Sequence, residues 1–204
     1  MSAVSARTGS ARASAMPQSS TTTLSWALHL ISLHPEIERR LHAEVDAVLS
    51  GRPAVHADLP DLDLTGRIIT ETLRLRGPGW FFTRTVTADT HLGGHLLPVG
   101  TTIAYSPYLI HHRRDLYDAP ETFDPDRWSG DHPPVPRHHL IPFGDGARRC
   151  IGDTFAMTET PLLLATIAAR WRLRPLDGQD VGPVPGVVLR PRELRMRVTA
   201  RSRS

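Results

Sequence analysis

The sequence predicts a mostly α-helical fold with small β-sheets, an α+β arrangement, and three observations carry that prediction. Apolar residues recur at helical spacing in three successive stretches between Thr23 and Arg76. From Phe81 to Tyr105 the composition turns β-rich around a Gly93-Gly94 turn. A further helix is expected from about Gly152 to Arg170, and a tail of short strands follows it.

The elements follow in order. Residues 1–20 are rich in Ala, Ser and Thr and show no apolar periodicity, so they read as a disordered or divergent N-terminus, with residues 21–204 forming the folded part. From Thr23, the residues Leu24, Ala27, Leu28, Leu30, Ile31 and Leu33 make an apolar helix that must stop before Pro35. Pro35 then opens a second helix with Glu36 in its first turn, an apolar stripe of Ile37, Leu41, Val45, Val48 and Leu49, and Gly51 as C-cap. A third helix is expected from about Asp61 to Arg76, with Leu64, Ile68, Thr72 and Leu75 on one side and Gly77-Pro78-Gly79 as its stop. Phe81 to Val86 and Thr101 to Tyr105 read as strands. From Pro107 to Pro142 the chain is irregular, dense in Pro, His, Asp and Arg, and so long a coil is either functional or a sign of unrecognised elements within it. In the tail, strands are expected near Val187 to Leu189 and Leu194 to Val198.

Composition bounds the function. Hydrophobic residues make up 40% and charged residues 22% of the 204, which is ordinary for a globular protein. A net charge of +3 is too small an excess to argue for nucleic acid, although it suits an acidic protein partner. A single cysteine excludes an intramolecular disulfide. No run approaches the roughly 18–20 apolar residues of a membrane helix, so a cytoplasmic protein is expected. The eleven histidines include the adjacent pairs His111-His112 and His138-His139, and no zinc ligand set is assigned among them.

The stretch Phe143-Gly144-Asp145-Gly146-Ala147-Arg148-Arg149-Cys150-Ile151-Gly152 carries the chemistry. A thiolate needs positive surroundings or backbone donors to stay deprotonated. Cys150 directly precedes an expected helix N-terminus, whose N–H groups and dipole supply both. Gly144, Gly146 and Gly152 let the backbone approach something flat and bulky, and Arg148 and Arg149 offer charge to carboxylates. A haem is flat and carries two propionates. The spacing Phe-x-x-Gly-x-Arg-x-Cys-x-Gly resembles, at every fixed position, the haem-binding signature of the cytochrome P450 family. That resemblance implies haem b as cofactor, Cys150 as axial ligand of the haem iron, Phe143 beside its sulfur, and Arg148 paired with a propionate.

Two further motifs stand in the family's order. Glu71-Thr72-Leu73-Arg74 resembles the E-x-x-R of its K helix, and Phe123-Asp124-Pro125-Asp126-Arg127-Trp128 resembles its F-x-P-x-R-[FW] element. The resemblance implies a buried structural triad of Glu71, Arg74 and Arg127, whose members stand or fall together because an unpaired buried charge is costly. Arg84 occupies the place of a second propionate ligand, with a solvated strand arginine as the equal alternative. Phe81, Phe82, Val187 and Val188 stand where family members contact substrate, and plain core packing is the alternative for each.

The motifs span residues 71 to 152, and weaker resemblance extends from Thr22 to about Val198. Thr23-Leu24-Ser25-Trp26-Ala27-Leu28 resembles a run on the family's oxygen-activating helix. Counting back from it puts Gln18 where an acid belongs and Ser19 where a threonine hydroxyl belongs, and Gln cannot relay a proton as a carboxylate does. The implied activity is hydroxylation of a small apolar substrate with O₂ and two electrons, delivered by a ferredoxin and its reductase. The stretches Tyr105 to His112 and Phe155 to Trp171 are similar to terpene-oxidising bacterial members. Upstream of Gln18 the resemblance disappears, so a truncated, fused or decayed gene or an incomplete gene model is expected; the alternative to a monooxygenase is a truncated non-catalytic remnant that binds haem or a partner, or does not fold alone.

Overall fold

The computed structural model describes residues 8–130, 136 and 139–201, with side chains described from Ser19 onward. Helix α1 (Thr8–Leu33) begins well before the expected Thr23. Alanine and arginine are strong helix formers, so a segment without an apolar stripe still takes helical backbone. Residues 1–7 lie outside the described residues. Pro35 ends α1 and occupies the first turn of α2 (Pro35–Leu49), where its missing N–H costs nothing. Ser50, at φ 48°, rather than Gly51, is the C-cap, and its N–H donates to the Asp46 carbonyl; Gly51 follows at φ 86°.

A 3₁₀ segment (His56–Asp61) leads to the central helix α3 (Asp63–Arg76). The Glu44 carboxylate of α2 seats the start of α3 by accepting from the Leu64 N–H (2.6 Å), the Thr65 N–H (2.9 Å) and the Thr65 hydroxyl (2.6 Å). A carboxylate at a helix N-terminus satisfies orphan donors and opposes the positive dipole end. Ala27 and Ile31 of α1, Leu41 and Val45 of α2, Ile68 and Leu73 of α3, and Leu164 and Ala165 of α5 (Asp153–Ala168) form one buried core.

The strands make four small antiparallel pairs among the described residues. β1 (Phe82–Thr85) pairs with β4 (Thr102–Tyr105) in the register Phe82↔Tyr105. β2 (Thr90–Leu92) and β3 (His95–Leu97) form a hairpin whose turn places Gly93 and Gly94 at φ 58° and 82°, as a two-residue turn with left-handed central residues requires. The irregular region 107–142 contains a short helix, α4 (Pro107–His111), and a 3₁₀ turn (Pro125–Trp128).

The tail departs from expectation. β5 (Trp171–Pro175), which no local pattern marks, pairs with β8 (Met196–Ala200). β6 (Pro183–Val184) pairs with β7 (Arg190–Pro191). Val187 to Leu189 form the turn between β6 and β7 rather than a strand, because their backbone groups bond elsewhere. The Leu189 N–H donates to the Pro78 carbonyl at 3.0 Å, and its own carbonyl accepts the Trp26 indole N–H at 3.0 Å. Among the described residues, no helix is long and apolar enough to cross a membrane.

Candidate functional site

The geometry is best built outward from α3. Glu71 and Arg74 are three residues apart on one helix face, and both are fully buried. Arg74 Nε and Nη2 donate to the two Glu71 carboxylate oxygens at 2.8 Å each, a bidentate pair. The remaining valences of both side chains are used. Arg74 Nη1 donates to the carbonyls of His111 (2.9 Å) and Pro120 (2.7 Å), and Nη2 to that of Thr122 (3.1 Å). Glu71 also accepts the Trp128 indole N–H (2.8 Å) and the Asp124 backbone N–H (3.1 Å). The pair thus gathers segment 111–128 onto α3.

Arg127 reaches this cluster less tightly. Its Nε lies 3.6 Å from Glu71 Oε1 and has no hydrogen-bond partner among the described residues. Its guanidinium carbon lies 5.9 Å from the Tyr117 ring centroid, and that of Arg74 lies 5.2 Å away. Burial raises the Tyr117 hydroxyl to about 12, against the opposing charges of Arg74 and Arg127. Asp126, next to Arg127, takes a bidentate pair from Arg40 at 2.7 Å and a bond from Arg67 at 2.5 Å. The hydrogen bonds from Arg40, aided by those from Arg67, hold its carboxyl down at about 2.

His111 extends the cluster toward the cysteine loop. It is 1% exposed. Its Nδ1 lies 3.2 Å from the Arg74 carbonyl, and its Nε2 accepts the Ile141 N–H at 3.0 Å. Those partners fix a neutral imidazole protonated at Nδ1. Burial depresses His111 to about 4, against the opposing hydrogen bond to the Arg74 carbonyl. Beside it the Tyr117 hydroxyl donates to the His139 carbonyl at 2.5 Å.

From Ile141 the chain enters the loop. The Gly144 N–H donates to the Ile141 carbonyl (3.0 Å) and the Cys150 N–H to the Phe143 carbonyl (2.9 Å). Gly144 and Gly146 lie at φ 71° and 67°, which a side chain would strain. A 3₁₀ turn (Gly146–Arg148) follows, and Gly152 caps α5 at φ −91°, an ordinary conformation. Phe143 packs half-buried against the helical core, whereas Cys150 and Arg148 are exposed. Arg149 is ion-paired with Asp153. Around the thiol, Ile151 is 96% and Phe155 61% exposed.

The other expected residues are placed as follows. Arg84 is exposed on β1, with Nη2 donating to the Tyr105 hydroxyl at 3.3 Å. Phe82 is half-buried against Tyr105, with ring centroids 5.4 Å apart, while Phe81 is exposed. Val187 is 89% exposed and Val188 half-buried in the β6–β7 turn. Trp80 ties that turn to the strand region by donating to the Gly186 carbonyl at 2.9 Å. Ser19 is half-buried on α1, and its carbonyl accepts the Thr23 hydroxyl at 3.0 Å. The side chain of Gln18 lies outside the described residues, as does His138.

A profile of the family described as Cytochrome P450 matches residues 15–198. The chain belongs to the cytochrome P450 family. It is 50% identical over 182 residues to a pentalenene oxygenase of Streptomyces avermitilis, covering 88% of this chain and 40% of that protein. It is 48% identical over 186 residues to a cyclooctat-9-en-7-ol 5-monooxygenase of Streptomyces melanosporofaciens, covering 86% of this chain and 40% of that protein. A zebrafish cytochrome P450 solved with progesterone superposes with a TM-score of 0.82 at 30% identity, covering 92% of this chain and 43% of that chain. The chain therefore spans about 40% of the length of these curated P450 relatives.

Haem is the cofactor the P450 family implies, and the residues present fit it. The lone thiol is exposed at the start of α5 instead of buried as an inert core cysteine. Apolar Ile151, next in the chain, and Phe155, in the first turn of α5, are exposed, and exposed Arg148 and Arg84 are available for carboxylates. Beyond the site residues assigned from the sequence, the cluster includes Trp128, His111 and Tyr117. Trp128 is legible as the last position of the F-x-P-x-R-[FW] element. His111 and Tyr117 act through backbone carbonyls and an N–H, which leave no side-chain pattern to read.

Proposed function

We propose that this chain supplies the haem-thiolate half of a P450 monooxygenase acting on a small apolar substrate. The carrying observation is the exposed Cys150 thiol, held before α5 by a loop that is hydrogen-bonded back to the buried Glu71–Arg74 cluster. In this reading Cys150 holds the iron, Arg148 and Arg84 each pair with a propionate, and Phe143 shields the sulfur. Gly146 permits the sharp turn, and Gly152 lets the backbone pass close at the helix start. Haem bound through a thiolate supplies activation of O₂ for insertion of one oxygen atom. Glu71, Arg74 and Arg127 support the loop and touch no reacting atom. Phe81, Phe82, Val187 and Val188 present apolar surface for substrate, and Ser19 offers a distal hydroxyl.

The named relatives favour a largely apolar substrate of the terpene class, since one is a pentalenene oxygenase and another a cyclooctat-9-en-7-ol 5-monooxygenase. Electrons in this reading arrive from a ferredoxin and its reductase on the face carrying Arg148. The test is spectroscopic. The haem-loaded ferrous–CO complex should show the red-shifted Soret band of thiolate ligation, and Cys150→Ala should lose it. A thiolate band that survives Cys150→Ala rejects the assignment.

A further inference from the structure

We infer that His111 is a positioning residue for the cysteine loop: it fixes where that loop leaves the protein interior and so sets the placement of Cys150. Four observations carry this. The ring is buried, and both of its nitrogens are engaged. Its Nδ1 side faces the Arg74 carbonyl at the end of α3, and its Nε2 accepts the Ile141 N–H at the mouth of the loop. Its own carbonyl accepts from Arg74 Nη1, so the residue is held from the backbone as well as from the ring. The loop then continues through Ile141 O to Gly144 N and Phe143 O to Cys150 N. A hydrogen-bonded path thus runs from α3 to the backbone N–H of Cys150. Tyr117, against the His111 ring at 6.4 Å between centroids, holds the adjacent His139 carbonyl and narrows the freedom of the same stretch.

The chemistry asks for histidine in particular. The buried site needs one donor and one acceptor on opposite edges of a flat ring. Phenylalanine fills the volume but strands the Ile141 N–H and the Arg74 carbonyl. Glutamine returns an acceptor near the Nε2 position.

The inference rests on the reading of Cys150 as ligand only for its consequence, so its test has an arm without haem. Amide hydrogen exchange is measured on the haem-free 204-residue chain as wild type, His111→Phe and His111→Gln. Wild type should protect Ile141, Gly144 and Cys150. His111→Phe should speed exchange about tenfold at all three, and His111→Gln should recover most of the protection at Ile141. In the haem-loaded chain, at equal haem content, His111→Phe should lower the fraction showing the red-shifted ferrous–CO band, and His111→Gln should restore it. An unprotected Ile141 amide in wild type overturns the inference without any variant. So does a His111→Phe protein in which faster exchange stops at Ile141 while Gly144 and Cys150 are unchanged, since the residue would then be mere filling. If wild type shows no thiolate band at all, the reading of Cys150 as ligand fails while the exchange arm still decides the role of His111.

Discussion

Replacing Glu71 with alanine is the sharpest test of the buried cluster. The substitution leaves Arg74, fully buried, with three backbone carbonyls and no counter-charge. Removing one partner of a buried ion pair costs about 3–5 kcal/mol. It also strands the Trp128 indole N–H and the Asp124 N–H, worth about 1–3 kcal/mol each when left buried and unbonded. These terms overlap, because segment 120–128 can shift to hydrate its freed groups, so roughly 5 kcal/mol is expected. That is a third or more of the roughly 5–15 kcal/mol that holds a typical domain together. Arg127→Ala serves as the internal comparison. Its Nε sits 3.6 Å from Glu71 without a hydrogen bond, and Arg74 still neutralises the carboxylate when it is gone, so about 1 kcal/mol is expected. The three residues therefore do not stand or fall equally, as the motif alone implies. Urea denaturation followed by helical circular dichroism reads both, and Glu71→Gln should fall between them by keeping an acceptor while losing the charge. A Glu71→Ala protein within about 1 kcal/mol of wild type would refute the reasoning.

Acid should weaken the fold well before its carboxylates protonate. His111 and His42 are both depressed by burial from 6.5 to about 4, so the unfolded chain takes up these protons first. The stability they contribute is complete above about pH 6.5 and is lost as pH falls toward 4, by up to about 3 kcal/mol for His111; a urea midpoint unchanged between pH 7 and 4 would contradict this. If a ferredoxin docks beside Cys150, its electron transfer should slow as ionic strength rises. The salt effect should be only severalfold, because Arg149 beside Cys150 is already paired with Asp153; stopped-flow reduction rates that ignore salt would remove this surface from consideration.

The sequence makes some of this legible and hides the rest for physical reasons. α2 and α3 follow directly from apolar spacing and from Pro35 and Gly77, since a helix that packs on a core must show its stripe. The Gly93-Gly94 turn is readable because two consecutive left-handed residues demand glycine or something close to it. The start of α1 is not, because a stretch of helix formers without an apolar stripe in its sequence resembles disorder in composition. β5 is hidden because its partner β8 lies at the far end of the tail, so nothing local announces the pairing. At the candidate site, the i,i+3 spacing of Glu71 and Arg74 announces a pair on one helix face, but the three carbonyls that Arg74 holds belong to residues whose side-chain identity is irrelevant to the bond.

Polar satisfaction divides the molecule in a way that bears on how the loop works. On the α3 side every oxygen of Glu71 and every nitrogen of the Arg74 guanidinium is bonded, and the neutral ring of His111 carries that order across to Ile141. On the Cys150 side, from Phe143 onward, the loop is held chiefly by its own backbone bonds, and the large side chains beside the thiol are open. A loop that must accept a rigid planar partner gains from this division. Its root is over-determined, so the thiol returns to one place, while its tip keeps few internal contacts to break when a ligand covers it. Rigidity at the root lowers the ordering cost of binding, and openness at the tip leaves apolar area for the ligand to bury.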